Sequence, residues 1–313
     1  MPEAILGIDT SCYTTSVALA SNGRILCSGR KLLTVEAGKQ GLRQSEAVFQ
    51  HIKILPDLLE TLFKNAGSFR LSAVCASEKP RDAEDSYMPV FQAGKSCARS
   101  IAVAFGIPIY YTSHQQGHIR AALVDTEMPN EPFVALHLSG GTTQTLFVER
   151  GLRITEIGGT NDLNAGQLVD RIGVCMGLSF PSGPELEMLA LNGKTEALIP
   201  ISRKEDACSF SGAENCAKRM LEQGKSKQDV AREIYSFLER SVFHLLVSAC
   251  ERTGVKQALL AGGVASSTLL RTLLTDRMQK RHKQIKLYWA RPELSGDNAC
   301  GVALIGEEKS KGC

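Results

Sequence analysis

No two of the ten cysteines form a CxxC pair. They stand singly at positions 12, 27, 75, 97, 175, 208, 216, 250, 300 and 313 in largely apolar surroundings, as reduced thiols do. A disulfide framework and a zinc ribbon are therefore excluded as readings. No apolar run approaches the ~20 residues needed to span a bilayer, and no charged leader precedes an apolar stretch, because "AILGID" reads as a strand almost from the first residue. No membrane partner and a cytoplasmic location are expected. There is no strong charge of either sign: the formal net charge is +3, which permits an RNA partner without arguing for one. The only dense basic run, "DRMQKRHKQIK" (276–286), reads as a solvated helix face. With 313 residues, 43% apolar and 22% charged, the chain has material for about two average domains.

What is present begins with a repeat. "ILGIDTSCYTTSVALASNGRILCSGR" (5–30) and "VALHLSGGTTQTLFVERGLRITEIGG" (134–159) follow one plan of strand, small-residue turn, strand, tight Gly turn and strand. Each predicts a β-meander. The first is followed by helical text at 45–64, the strand "LSAVCAS", a helix around 91–105 and the strand "IPIYYT". The second is followed by helical text at 165–177 and 184–192, a long helix from about 227 to 252, the strand "QALLAGGVA" and another helix. The expected fold is α/β, with two duplicated lobes and a nucleotide cleft between them. The first lobe would span 1–130, with a C-terminal helix (about 295–313) packing back on it, and the second 131–294. The alternative is two coincidental hairpins in one larger sheet.

Turns rich in Gly, Ser and Thr bring backbone N–H groups close to an anion. "DTSCYTT" and "SGGTTQ", at corresponding places in the two repeats, thus read as phosphate loops. In "ALLAGGVASSTLLRTLL" (258–274) a strand, Gly262–Gly263 and a helix follow one another, which would aim a helix N-terminus and bare backbone at a nucleotide. "YYTSHQQGHIRAAL" (110–123) sets His114 and His118 four positions apart, on one helix face and within reach of one ion. The metallopeptidase motif HExxH needs a Glu as general base beside its first His. Here Gln115 stands there and cannot take a proton at neutral pH, so a peptidase is a poor reading.

"GIDTSC", "SHQQGH", "LSGGTTQ", "NAGQLVDRIGVCMGLSFPSGPELEMLA", "CSFSGAENCAKRM", "AGGVASSTLLR" and "SGDNACGVALIG" occur in the order found in the TsaD family. The chain resembles these tRNA adenosine threonylcarbamoyltransferases, once called glycoproteases or O-sialoglycoprotein endopeptidases, over nearly its whole length. The resemblance implies the duplicated lobes of the actin, sugar-kinase and heat-shock-chaperone superfamily. It places the family's metal pair on His114 and His118 and the third ligand on Asp297, at the N-cap of a small-residue helix (298–306). His137 stands where some members have a further ligand. Three His and one Asp suit iron(II) or zinc. The nucleotide positions fall on Ser139, Gly140, Gly141 and Thr142, on Asp170 facing a ribose, on Gly183 for close approach and on Glu187 facing a purine. Ser267 replaces the family's Asn, which weakens or replaces one adenosine contact. ATP, ADP or an acyl-adenylate is the implied ligand.

Departures cluster early. Relatives carry Asp-Glu where this chain has Tyr13 and Thr14, and Asp9 is the acid that remains, to hold a metal-bound water or orient the substrate. "GKQGLRQSEAVFQH" (38–51) and "SYMPVFQAGKS" (86–96) also differ from the family pattern, so the chain resembles a divergent paralogue. Three functions compete. The first is metal-dependent threonylcarbamoyl transfer to tRNA adenosine. The second is a non-catalytic nucleotide-binding subunit pairing with a true transferase, and the third a small-molecule carbamoyl or phosphoryl transferase. A homodimer, or a heterodimer with a related subunit, is expected.

Overall fold

Strands buried on both faces read as nearly continuous apolar text, and the first strand does so from its second residue. In the computed structural model, which describes residues 1–11, 13–35, 42–83, 85–201, 204 and 206–312, the chain divides into two compact units. One holds Met1–Val124 with Gly296–Cys313, the other Asp125–Ser295. Cys12, residues 38–41 of the divergent early segment and Cys313 lie outside the described residues.

In the first unit β1 (Glu3–Ser11), β2 (Thr14–Ser21) and β3 (Arg24–Leu32) form the expected antiparallel meander. Its tight turn is Asn22–Gly23, both at positive φ (52° and 74°), the hairpin geometry these residue types favour. After α1 (Gln44–Asn65), β4 (Arg70–Lys79) joins β1 in parallel; after α2 (Phe91–Phe105), β5 (Ile109–Ser113) joins β4. The sheet order is β3-β2-β1-β4-β5. Alternation divides β1 between two layers. Leu6 and Ile8 pack with Leu55 and Leu62 of α1 and Ala98 and Ala102 of α2, whereas Ile5 packs with Cys75 and Val302. Val302 belongs to α9 (Cys300–Ser310), whose approach depends on Gly7. A Cβ at Gly7 would meet the Ala303 nitrogen at 2.5 Å.

The second unit repeats the plan. β6 (Phe133–Leu138), β7 (Thr143–Glu149) and β8 (Arg153–Thr160) form the second meander, followed by α4 (Ala165–Cys175) and α5 (Gly183–Leu191). Next come β9 (Ala207–Cys208), α6 (Ser211–Glu222), α7 (Lys227–Thr253), β10 (Gln257–Ala261), α8 (Thr268–Arg281) and β11 (Lys286–Trp289). The order β11-β10-β6-β7-β8-β9 is that of the first sheet with one short strand added. The core gathers Leu136 and Leu138 of β6, Leu168 and Ile172 of α4, and Phe237, Leu238 and Leu245 of α7, each buried.

One expectation is corrected. Asp297 is not the cap of the last helix. α9 begins at Cys300, whose N–H donates to Asn298 Oδ1 at 2.9 Å, and this leaves the Asp297 carboxylate for other partners. No helix among the described residues is long and apolar enough to cross a membrane.

Candidate functional site

In the first unit β5 runs directly into α3 (His114–Ala122). Ser113 caps that helix: its Oγ accepts from the Gln116 N–H at 3.1 Å, and Gln116 Oε1 accepts from the Ser113 N–H at 3.1 Å. This capping box fixes where the helix starts and so sets His114 and His118 one turn apart on one face. Their Nε2 atoms lie 3.0 Å apart. Asp297 Oδ1 lies 2.9 Å from His118 Nε2 and 3.6 Å from His114 Nε2. The three side chains each offer a ligand atom, all within 4.8 Å of one another.

Two of the three are held from behind. His114 Nδ1 lies 3.0 Å from Asp9 Oδ1, and Asp9 also accepts a hydrogen bond from the Ser77 hydroxyl. Asp297 Oδ2 accepts from Thr14 Oγ1 at 3.1 Å and from Ser11 Oγ at 3.3 Å. Burial works against charging the His114 ring, but Asp9 and Asp297 overcome it and carry its pKa well above the ordinary value. Burial alone would raise Asp297; hydrogen bonds from His114 and His118 instead hold it well below the usual carboxylate range.

Ring nitrogens and a carboxylate gathered this closely favour a shared cation among them, whether proton or metal. With Nδ1–H of His114 donated to Asp9, its Nε2 keeps a lone pair facing the other ligands. Two imidazoles and one carboxylate suit a first-row divalent ion such as iron(II) or zinc. Carboxylate support of a ligating histidine is the outer arrangement such sites use. The residues fit a metal.

Asp9 was expected to reach a metal-bound water or the substrate. It is fully buried and engaged by Ser77 and His114, so its geometry is that of a positioning residue. Of the positions where relatives carry acids, Tyr13 is exposed and Thr14 has become the brace of Asp297. His137 lies in the second unit, half-buried on β6, with its ring edge against Gly262. The converging set in the first unit is His114, His118 and Asp297.

The second unit holds a cavity of about 350 Å³. Gly140, Asp170, Gly183, Glu187, Gly263 and Ser267 line it; Ser139, Gly141, Thr142 and Gly262 do not. Ser139 instead closes the loop, its Oγ accepting from the Thr142 N–H at 3.1 Å. Gly262 serves the backbone: at φ +101° a Cβ would meet the Leu138 carbonyl at 2.2 Å, a place open only to glycine. The expectation of a free helix N-terminus is also corrected. The Leu269 and Leu270 amides of α8 are taken by Glu187 Oε1 (2.7 Å) and Ser267 Oγ (3.1 Å). Bare backbone at the cavity comes instead from Gly140 and Gly263. Asp170 Oδ1 accepts from the Ser182 N–H at 2.8 Å.

The residue-level reading missed Gly166 and Tyr235, which also line the cavity. A Cβ at Gly166 would meet the Gly140 nitrogen at 2.6 Å, so glycine there lets α4 abut the 139–142 loop. Its only signal is the "NAG" that caps and opens α4. Tyr235 is buried, with its hydroxyl 3.4 Å from the Gly183 carbonyl; nothing in the long α7 text marks it.

The model of the TsaD family, described as tRNA N6-adenosine threonylcarbamoyltransferase, matches residues 33–304. The chain belongs to the TsaD family. Solved structures agree on the fold. An activator of the 2-hydroxyisocaproyl-CoA dehydratase from Clostridium difficile, with bound ADPNP, is 16% identical with TM-score 0.58, over 99% of this chain and 96% of that one. A ROK hexokinase from Thermus thermophilus is 16% identical with TM-score 0.57, over 99% and 100% of the two chains. HypF from T. kodakarensis is 13% identical with TM-score 0.64, over 99% of this chain and 48% of HypF. The fold of this TsaD-family chain is thus the actin-like ATPase fold.

Proposed function

We propose that the chain is a metal-dependent threonylcarbamoyl transferase acting on an adenosine of tRNA, with an adenine nucleotide or acyl-adenylate in the second unit's cavity. The observation that carries this reading is the convergence of His114, His118 and Asp297 with two of the three braced by further side chains. A divalent metal held there supplies Lewis-acid polarisation of a carbonyl. In the transfer, the adenosine amine forms a C–N bond to the carbamoyl carbon. The mixed-anhydride C–O bond breaks, the phosphate of AMP leaves with the electron pair, and the amine gives up a proton. Asp9 keeps His114 in the ligating tautomer, and Ser11 and Thr14 keep Oδ1 of Asp297 turned to the histidines. Main-chain N–H groups at Gly140 and Gly263 are offered to the nucleotide. Asp170 and Glu187 are the acceptors for its hydroxyl and amine groups.

The test is incubation of the purified chain with threonylcarbamoyl-adenylate and unmodified tRNA, with mass spectrometry of the nucleosides, with and without a related family subunit. Modified adenosine made by the chain alone supports the reading. Modified adenosine that the chain alone, with metal and nucleotide bound, does not make and that appears only with the related subunit supports the second reading, a non-catalytic subunit. Its absence in both arms counts against both readings. The second reading is favoured by Tyr13 and Thr14 standing where relatives have acids. His137→Ala decides the fourth ligand by metal content.

A pairing surface on the first unit is supported by two exposed apolar pairs, Phe49 and Ile52 on α1 and Val103 and Phe105 on α2. Light scattering of the wild type and of Phe49→Lys/Val103→Glu tests it; a wild-type monomer removes it.

A further inference from the structure

The run 276–286 carries five lysines and arginines against one aspartate, and folding does more with it than solvate a helix. Arg277 turns to Glu239 and pairs with it. Lys280, Arg281, Lys283 and Lys286 are exposed and join no ion pair among the described residues. Lys283 and Lys286 stand at a groove of about 810 Å³. One wall is the face of α8 bearing Thr275, Met278 and Gln279; the other is β11 with Tyr288 and Trp289. β11 ends its sheet, so its outer edge has no strand partner among the described residues.

The chemistry of the groove selects among occupants. Of its aliphatic members, Met278 and Ile285 are almost fully covered, at 2% and 6% exposure, and the half-buried Leu287 packs against the core of the unit, so an apolar helix would find little to bury against. Beside Thr275, Gln279 and Leu287, the groove presents the aromatic residues Tyr288 and Trp289 and the ammonium groups of Lys283 and Lys286, which join no ion pair among the described residues. Trp289 is held in place: the Arg271 guanidinium lies 5.2 Å from its ring centroid and is itself fixed by the carbonyls of Ala265 (2.9 Å) and Ala290 (2.8 Å). A ring fixed before binding loses little freedom on stacking. Aromatic platforms beside cations are how unpaired bases and their phosphates are held.

We propose that the α8–β11 groove binds a single-stranded RNA segment, with bases on Tyr288 and Trp289 and phosphates on Lys283 and Lys286. The choice of RNA rests on the reading of the chain as a protein that acts on tRNA. The groove itself stands on its own residues.

The experiment measures anisotropy of a labelled unstructured oligoribonucleotide, and of unmodified tRNA, against the full chain over a salt series. Lys283→Glu/Lys286→Glu should weaken binding about tenfold or more and flatten the log affinity–log salt slope by about 1.4, at ~0.7 per phosphate contact on single strands. Lys194→Glu/Arg219→Glu makes the same charge change at exposed cations elsewhere and should alter binding less than about threefold. Ultraviolet crosslinks should map to Tyr288 or Trp289. Equal losses in both variants, crosslinks elsewhere, or equal affinity for an acidic peptide would overturn the proposal. The functional reading fails separately. RNA held in the groove with no transfer sinks that reading alone, whereas transfer with unchanged tRNA KM in Lys283→Glu/Lys286→Glu sinks the groove alone.

Discussion

The strand ends where β1 meets β2 and the loop between β6 and β7 occupy the same place in two copies of one meander, yet they present different groups. The first works with side chains. Asp9 at the end of β1 supports His114, and Ser11 and Thr14 support Asp297. The second works with the absence of side chains: Gly140 and Gly141 are exposed, and neither would meet an atom within 4 Å if given a Cβ. A duplicated strand–turn–strand fixes where a loop emerges and leaves open what it presents. Side chains can hold other side chains to a geometry, as a metal ligand requires. Bare N–H groups can meet an anion that no side chain obstructs.

The comparison breaks most completely at the two histidines. His114→Ala/His118→Ala should lose stoichiometric metal by elemental analysis while nucleotide affinity, measured by calorimetry, holds. Equal metal content in wild type and variant would remove the metal centre. Substituting the support alone should be milder. Asp9→Asn is expected to cost about 10–100-fold in metal affinity, read by competition with a chromogenic chelator.

On the glycine side, Gly166→Val forces a branched side chain into the 139–142 loop. It should destabilise the protein by about 1–3 kcal/mol and weaken ADP binding, which calorimetry reads, with metal content unchanged. Unaltered ADP affinity in a folded variant would show that the loop's position is irrelevant to the cavity.

Thr14 sharpens the comparison further. Thr14→Val removes one hydroxyl donor to Asp297 and should lower metal affinity several-fold, matching about 0.5–1.5 kcal/mol for a hydrogen bond. Tyr13→Asp/Thr14→Glu restores the family's acids. It should raise tRNA transfer if their absence limits the reaction, because a phenol and an alcohol cannot stand in for carboxylates as general base. Robust wild-type transfer without a partner would show that the missing carboxylates matter little.

The smallest effect concerns Asp162, which accepts from the Phe210 and Ser211 N–H groups and the Ser211 hydroxyl at the start of α6. Burial would raise its pKa, but these bonds and one from Leu163 bring it down to about 2. A depressed carboxylate stabilises the fold above its unfolded pKa of ~3.9, and that contribution fades as pH falls through about 2. The group is exposed and screened, so Asp162→Asn should cost only about 1 kcal/mol at neutral pH. The gap from wild type should close in acid unfolding curves, and a pH-independent gap would contradict this account.

Much of this was legible beforehand. Both meanders, the helix 91–105 and the long α7 follow from periodicity and turn residues, because those signals are local. β9 was not legible, since two residues carry no period. The α6 helix at 211–222 bears the "SGAENCAKRM" motif, whose small and polar residues announce a family segment more plainly than a helix. The pairing of Glu187 with the α8 amides could not be read either, because the two partners are 82 residues apart.

By itself the sequence determined the repeat, the histidine spacing and the family motifs. Each is a relation between near neighbours or an order along the chain. Only the tertiary structure decided what each residue faces: that Asp9 is buried behind a histidine, that Thr14 holds Asp297, and that Glu187 caps a helix. It also decided that a basic run borders a groove with two aromatic rings. These depend on distances between residues far apart in sequence, which packing of the sheets and helices sets and no local pattern encodes.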